Sequence, residues 1–327
     1  VYEARPDERA DLEKQAALHG VELSVTDAVP TLENASLAAG CIGVSILGQG
    51  CIDAALLDAY HALGIRYLST RTIGYDHIDL DHARSIGLRV CSASYAPNGV
   101  ADFTVMMILM CLRHYKQALW RGQVNDFSLT GLQGREMKDL TIGIIGTGRI
   151  GAQVARNLSG FGCRILAYDL RRNPAVEPQV TYVDFDTLLA QSDVITLHMP
   201  LLDSNRHIIN RESVAKMRDG VVIVNCSRGE LADIEALIEG IETGKIGALG
   251  MDTVEGDEGI IHADHRVDIL PNRNWFYLHQ FRNVIMTQHM AFYTDAAVSS
   301  MVDCGIGGIC QMAAGESCPT ELTGPVQ

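Results

Sequence analysis

The sequence predicts an α/β chain of two doubly wound parallel-sheet domains, and three observations carry that expectation. Short apolar runs alternate with stretches of helical spacing through residues 1–98. A second alternation begins at Thr141 with TIGIIGTGRIGAQVARNLSGFGCRILAYD. A further helical pattern follows His289, which gives the first alternation a C-terminal partner. Such alternation argues for parallel strands joined by helical crossovers.

In the first stretch the expected strands are Leu23–Val25, Ile42–Leu47, Tyr67–Ser69 and Arg89–Cys91, with helices at Glu8–Leu18, Ala54–Leu63 and Asp79–Ile86. The helix after Pro97 carries Val100, Phe103, Val105, Met106, Ile108, Leu109 and Leu112. It is apolar nearly all round, so burial between domains or subunits is expected. Ile142–Ile145 reads as a buried parallel strand. It feeds Gly146-Thr147-Gly148-Arg149-Ile150-Gly151, then a helix (Ile150, Val154, Leu158), then a strand, Ile165–Tyr168, that ends in Asp169.

In this Rossmann-like unit each glycine has a physical task. Gly146 permits a tight turn, Gly148 admits a pyrophosphate against the backbone, and Gly151 lets helix and strand pack closely. The helix N-terminus suits the anion. Asp169 suits the ribose hydroxyls and repels a 2′-phosphate, which favours NAD over NADP; Arg171 and Arg172 leave some tolerance for phosphate.

The later strands end in polar residues. Val194–Leu197 leads to His198-Met199-Pro200, Val221–Val224 to Asn225-Cys226-Ser227-Arg228-Gly229, Ala248–Met251 to Asp252, and Val284–Met286 to His289. Ligands of doubly wound sheets bind beyond the carboxyl ends of strands, so these residues point at one crevice. Reducing a carbonyl requires a proton donor, for which His289 is suited, and a cation on the carbonyl, for which Arg228 is suited. Thr294–Ala314 again has helical spacing, whereas Gly256–Gln280 reads as an irregular excursion. The expected division is a discontinuous substrate domain, 1–98 with 294–327, into which a coenzyme domain, 99–293, is inserted.

Composition narrows the function classes. Hydrophobic residues make up 47% of the 327 and charged residues 20%, as in ordinary globular chains. A net charge of -14 argues against nucleic acid and anionic membranes as partners. The nine cysteines form no C-x-x-C pair, which suits reduced thiols and a cytoplasmic setting. The longest apolar run, Val105–Leu112, is too short for a bilayer, and no stretch resembles a signal peptide. The chain opens on Val1-Tyr2-Glu3, where a few residues of a first strand are expected to be missing. No metal is expected: His262, Asp264 and His265 read as a solvated loop, His77 with Asp76 and Asp79 as a turn and helix cap, and His198 as structural or cofactor-positioning.

The segments SILGQGCID, YLSTRTIGYDHIDLDHARSIGL, YAPNGVAD, IGIIGTGRIG, GFGCRILAYDLRRNP, SDVITLHMP, VVIVNCSRGELAD, GKIGALGMDTVEGD and QHMAFYTDAAV resemble NAD-dependent D-2-hydroxyacid dehydrogenases of the D-lactate dehydrogenase branch. The resemblance implies an oxidoreductase, expected to be a homodimer, that reduces pyruvate or a larger apolar 2-keto acid to the D-2-hydroxy acid. It maps the catalytic arginine to Arg228, the acid–base histidine to His289 and its acidic partner to Asp257. The family has glutamate at that last position. Asp is one methylene shorter, about 1.5 Å of reach, so Glu255 and Glu258 stand as alternatives.

Arg149 and Ile150 map to the pyrophosphate, Met199, Pro200 and Asn205 to the adenosine side, and Cys226, Arg228 and Asp252 to the nicotinamide side, with Ser227 also a cofactor contact. The amides of Ile73 and Gly74, with Tyr95, map to the substrate carboxylate, and Leu47 and Phe292 to its side chain. No basic residue accompanies Leu47, which disfavours a second substrate carboxylate. Two other readings stay open: an NAD-sensing, partner-binding protein without turnover, as some family members are co-repressors, and an NADP-tolerant D-lactate-forming enzyme of the vancomycin-resistance type. Asp169 departs from the latter.

Overall fold

The computed structural model describes residues 1–270 and 272–324. The chain forms two compact units, Val1–Ala96 with Tyr293–Gln327, and Pro97–Phe292.

In the first unit helix α1 (Arg9–His19) precedes strand β1 (Gly43–Ile46), α2 (Ala54–Ala62), β2 (Tyr67–Thr70), α3 (Leu80–Ser85) and β3 (Arg89–Cys91). The three strands are parallel in the order β1-β2-β3. Side chains alternate across the sheet, as strand geometry requires. Val44, Ile46, Leu68 and Val90 share a core with Ile52, Leu56, Leu57 and Tyr60. Tyr67 and Cys91 pack instead with Met312 and Cys318, beside the C-terminal helix Asp295–Ala313. That helix is long and apolar enough to cross a membrane by length and composition, yet half of it is buried, against α1 and all three strands.

The expected strand Leu23–Val25 does not form. Its neighbourhood pairs with the chain start, through Val1 to Ser24 O at 2.7 Å, Thr26 N to Val1 O at 2.9 Å and Ala4 N to Thr26 O at 3.0 Å. Glu3 interrupts that ladder with a left-handed φ of 53°. The Glu3 carboxylate is turned inward, where it accepts hydrogen bonds from the amides of Leu47, Gly48 (2.8 Å), Gln49 (2.8 Å) and Gly50 (3.1 Å). It pins the loop that carries Leu47.

Arg71, which sequence reasoning did not single out, anchors the turn after β2. Its guanidinium is fully buried and bonds Glu8, Ser45 and the carbonyls of Tyr2 and Glu3. Breaking such a buried pair from one side costs about 3–5 kcal/mol.

The second unit runs through α4 (Asn98–Leu112), α5 (Tyr115–Gln123), β4 (Thr141–Ile145), α6 (Arg149–Ser159), β5 (Arg164–Tyr168), β6 (Thr181–Tyr182), α7 (Phe185–Gln191), β7 (Val194–Leu197), α8 (Arg211–Lys216), β8 (Val221–Asn225), α9 (Ile234–Glu242), β9 (Ile246–Met251), α10 (Arg273–His279) and β10 (Val284–Met286). Its seven-stranded parallel sheet has the order β10-β9-β8-β7-β4-β5-β6. Strand order reverses between β4 and β7, the switch point at which a crevice opens. Helix α4 packs within this unit, against α6, β8 and β9, which buries Val100, Val105, Met107, Ile108 and Leu112, while Met106 is 41% exposed. Helix α10 lies inside the stretch expected to be irregular. Asn272 starts it by accepting the Trp275 N–H at 3.0 Å, an N-cap within a polar run.

Candidate active site

The strand-to-helix turn at β4–α6 is tightly built. Gly146 has a φ of 93° and passes so close to His198 that an added Cβ would lie 2.6 Å from its carbonyl oxygen. A Cβ on Gly151 would stand 1.9 Å from the Gly146 carbonyl oxygen, so only glycine allows α6 to meet the turn. Gly148, the N-cap of α6, faces open space where its side chain would be. This open helix end suits a pyrophosphate.

Asp169 closes the cradle. Its carboxylate accepts from Thr147 N at 2.6 Å, Thr147 Oγ1 at 3.1 Å and Arg171 N at 2.9 Å. Tyr182 braces it by donating to Thr147 Oγ1 at 2.8 Å, and Arg172 lies over the Tyr182 ring at 5.5 Å. A carboxylate accepting three bonds keeps acceptor capacity for a ribose hydroxyl. The donor set fits NAD.

The adjoining strand ends are tied together by polar contacts. Asn205 spans its own turn, accepting from Leu202 N and donating to Pro200 O, both at 2.8 Å. Ser227 Oγ donates to the Met199 carbonyl at 2.5 Å, which joins the ends of β7 and β8. His198 Nε2 lies 3.0 Å from Thr196 Oγ1, and burial pulls this imidazole down to about 3, so it is neutral. Burial pushes the Cys226 thiol up, so it is no thiolate. Arg228 follows directly. Its carbonyl accepts from Asn225 Nδ2 at 2.7 Å and its Nη1 donates to the Ser227 carbonyl at 2.9 Å.

Asp252 does more than border a cofactor site. It is 1% exposed, yet its carboxylate accepts from Thr287 Oγ1 at 2.6 Å, Met290 N at 2.9 Å and Ala291 N at 2.8 Å. The carboxylate therefore ties the end of β9 to both flanks of His289, which holds a left-handed φ of 53°. Burial pulls the His289 imidazole down to about 4; Asp252 opposes that shift, and Arg228 and His262 reinforce it. The groups acting on His289 thus come from the ends of β8 and β9 and from the 256–270 loop.

The expected acidic partner is elsewhere. Among the described residues no hydrogen bond or ion pair joins Asp257 to His289. Asp257 folds back to accept the Val254 N–H at 3.2 Å, and burial raises it to about 6 despite that bond. Its short side chain favours this local ring over a longer reach. Glu255 is also engaged, 2.6 Å from His207 Nε2, and Glu258 is exposed. In the 256–270 loop, His265 pairs with Asp268 and Asp264 with Arg266. His262 turns instead to His289 and Phe292, with ring centroids 6.1 and 6.4 Å away. The sequence signals neither Thr287 nor His262: Thr287 follows β10 two residues before His289, whereas His262 lies 27 positions earlier in the 256–270 loop.

The first unit contains the other expected residues. Ile73 and Gly74 lie in the turn after β2, where Thr72 Oγ1 donates to the Gly74 carbonyl at 2.6 Å. Their own N–H groups donate to nothing among the described residues, and Ile73 is 36% exposed. Leu47 is buried and Tyr95 partly buried.

Comparison with known proteins agrees with this layout. Residues 105–291 match the family described as D-isomer specific 2-hydroxyacid dehydrogenase, NAD binding domain. An aromatic 2-oxoacid reductase of Clostridium sporogenes is 41% identical over 306 residues, covering 92% of both chains. A D-specific alpha-keto acid dehydrogenase of Enterococcus faecium is 36% identical, covering 93% of each. The solved structure of a pyruvate reductase of Chlamydomonas reinhardtii superposes with a TM-score of 0.89 at 34% identity, over 97% of this chain and 96% of that one. The chain therefore belongs to the NAD-dependent D-isomer-specific 2-hydroxyacid dehydrogenases.

Proposed function

We propose that the protein reduces a 2-keto acid with an apolar side chain to the D-2-hydroxy acid, with Arg228 and His289 as its catalytic residues. The observation that carries this reading is the grouping of His289 with Asp252 and Arg228 at neighbouring strand ends of one sheet. The nicotinamide of the bound coenzyme would supply the hydride as NADH and, in the reverse direction, accept it as NAD⁺. Gly146, Gly148, Arg149, Ile150, Gly151 and Asp169 hold its nucleotide, with Met199, Pro200, Asn205, Cys226, Ser227 and Asp252 along the rest. Arg228 engages the substrate carboxylate and polarises its carbonyl. His289 delivers a proton to the carbonyl oxygen and, in the reverse direction, removes it. Asp252 keeps the imidazole in place. Asp257 remains the proposed acidic partner, reaching His289 when substrate is bound; apo geometry often tightens only in the loaded complex.

The amides of Ile73 and Gly74 receive the substrate carboxylate, assisted by Tyr95, and Leu47 with Phe292 accommodates the side chain. The Glu3 carboxylate beneath the Leu47 loop repels a second acidic group, which supports an apolar substrate. The similarity to an aromatic 2-oxoacid reductase extends the candidates from pyruvate to aryl 2-keto acids. In this reading 1–98 and 294–327 serve the substrate and 99–293 the coenzyme. Leu119, Trp120, Val124, Phe127 and Leu129 are each more than half exposed on and after α5, which supports a homodimer. The net charge of -14 supports a partner set without nucleic acid or membrane, and nine cysteines without a C-x-x-C pair support a cytoplasmic setting.

The test is NADH and NADPH oxidation with pyruvate, 2-ketoisocaproate, phenylpyruvate and 2-ketoglutarate, followed by chiral analysis. Apolar substrates should turn over with NADH to the D-isomer. Preference for 2-ketoglutarate, or for NADPH, contradicts the proposal.

A further inference from the structure

We propose that His262 is a positioning residue for His289, holding its backbone carbonyl while Asp252 holds the amides that follow it. The inference rests on His289 being the acid–base group. His262 Nε2 lies 3.3 Å from the His289 carbonyl oxygen, so its N–H is placed to donate there. The rings of His262, His289 and Phe292 form a closed triangle, with centroids 6.1, 6.3 and 6.4 Å apart. Two of the three pairs meet edge to face, the favoured aromatic arrangement.

A positioning role is needed because His289 occupies left-handed backbone space, with φ at 53°. Side-chain-bearing residues persist there only when their surroundings over-determine them. Asp252 fixes the amides of Met290 and Ala291, which follow His289. His262 fixes the carbonyl of His289 itself. His262 is also left-handed, at φ 62°, so its own backbone is committed to presenting the ring this way. The neighbouring charges of the loop are engaged locally, Asp264 with Arg266 and His265 with Asp268. Of the loop's ionisable groups, His262 is the one acting on His289.

The same placement puts any positive charge on His262 close to the His289 ring, 6.1 Å away between centroids. Three groups face the His289 imidazole: Asp252 from β9, Arg228 from the end of β8, and His262. A protonated His262 disfavours the imidazolium at His289, which adds to Arg228 and opposes Asp252.

Two substitutions separate these effects. His262→Ala removes both the donor and the charge; His262→Gln restores an N–H donor without charge. The expected result is a fall in kcat of about tenfold in His262→Ala, from misplacement of the imidazole, with the KM for NADH unchanged. His262→Gln should recover to within about twofold of wild type, since its amide replaces the lost donor. In imidazole NMR titrations of the protein alone, His289 should titrate at higher pH in both variants. Wild-type kcat in His262→Ala, or a Gln variant as impaired as the Ala variant, overturns the positioning role. An unmoved His289 titration overturns the charge effect. If His289→Ala retains turnover, the acid–base assignment itself fails, while the NMR titration still tests the contact with His262.

Discussion

The two flanks of the seven-stranded sheet are built by different means. Beyond β4 and β5, the site is backbone: glycines too crowded for any Cβ, a helix end, and Asp169 held by amide donors. Beyond β9 and β10, the site is side chain on loop: His289 depends on Asp252, Thr287 and His262 for its placement. The first kind of construction is intolerant and preformed. The second is adjustable, and there Asp257 is turned onto Val254.

The contrast is open to direct attack, beginning with the largest expected effect. Gly151→Val should abolish NADH binding, since even a Cβ would lie 1.9 Å from the Gly146 carbonyl oxygen. Fluorescence titration of NADH checks this, and tight binding would show that the turn can yield. Asp252→Asn should lower kcat about a hundredfold through misplacement of His289, because an amide cannot accept all three present bonds. A variant with full turnover would mean that the loop holds itself. Asp169→Ser should raise the KM for NADH about tenfold, on the order of one charge-assisted hydrogen bond, and narrow the gap to NADPH.

The smallest effect is expected at Asp257. With Asp257 as the acidic partner of His289 in the loaded enzyme, Asp257→Asn should lower kcat at pH 7 about fivefold; a change below about threefold would show that its bond to Val254 persists and that it is not the partner. Its stability effect depends on pH. Asp257 is raised from 3.8 to about 6 by burial. The stability tied to its neutral form is therefore complete below about pH 4 and lost as pH rises through 6. Asp257→Asn removes that dependence, so its Tm relative to wild type should be more favourable at pH 8 than at pH 4.5. A constant difference across pH would place the carboxyl in water.

Much of the backbone-built flank was legible in the sequence. The spacing Gly146-x-Gly148-x-x-Gly151, the flanking Ile runs and Asp169 are local features whose geometry follows from short-range sterics. Arg228 and His289 were legible as polar residues at strand ends. What escaped was long-range. Nothing near Asp252 in the sequence announces that it will accept from Met290 and Ala291, 38 and 39 positions away. Arg71 gave no hint of its burial with Glu8, because an arginine in a loop-like run reads as solvated. Leu23–Val25 looked like a strand by composition, but Glu3 broke the ladder from the other side. Helix α10 escaped because its cap, Asn272, sits in a polar stretch that resembles a loop.

The central claim, that His289 moves the proton while the glycine turn holds the coenzyme, is tested most directly by His289→Ala. The measurement pairs NADH titration with turnover of phenylpyruvate and pyruvate in the same preparation. Wild-type NADH affinity is expected together with a fall in kcat of about 10²–10⁴-fold, the range of a lost general acid. Turnover within about threefold of wild type, or loss of NADH binding together with activity, would contradict it.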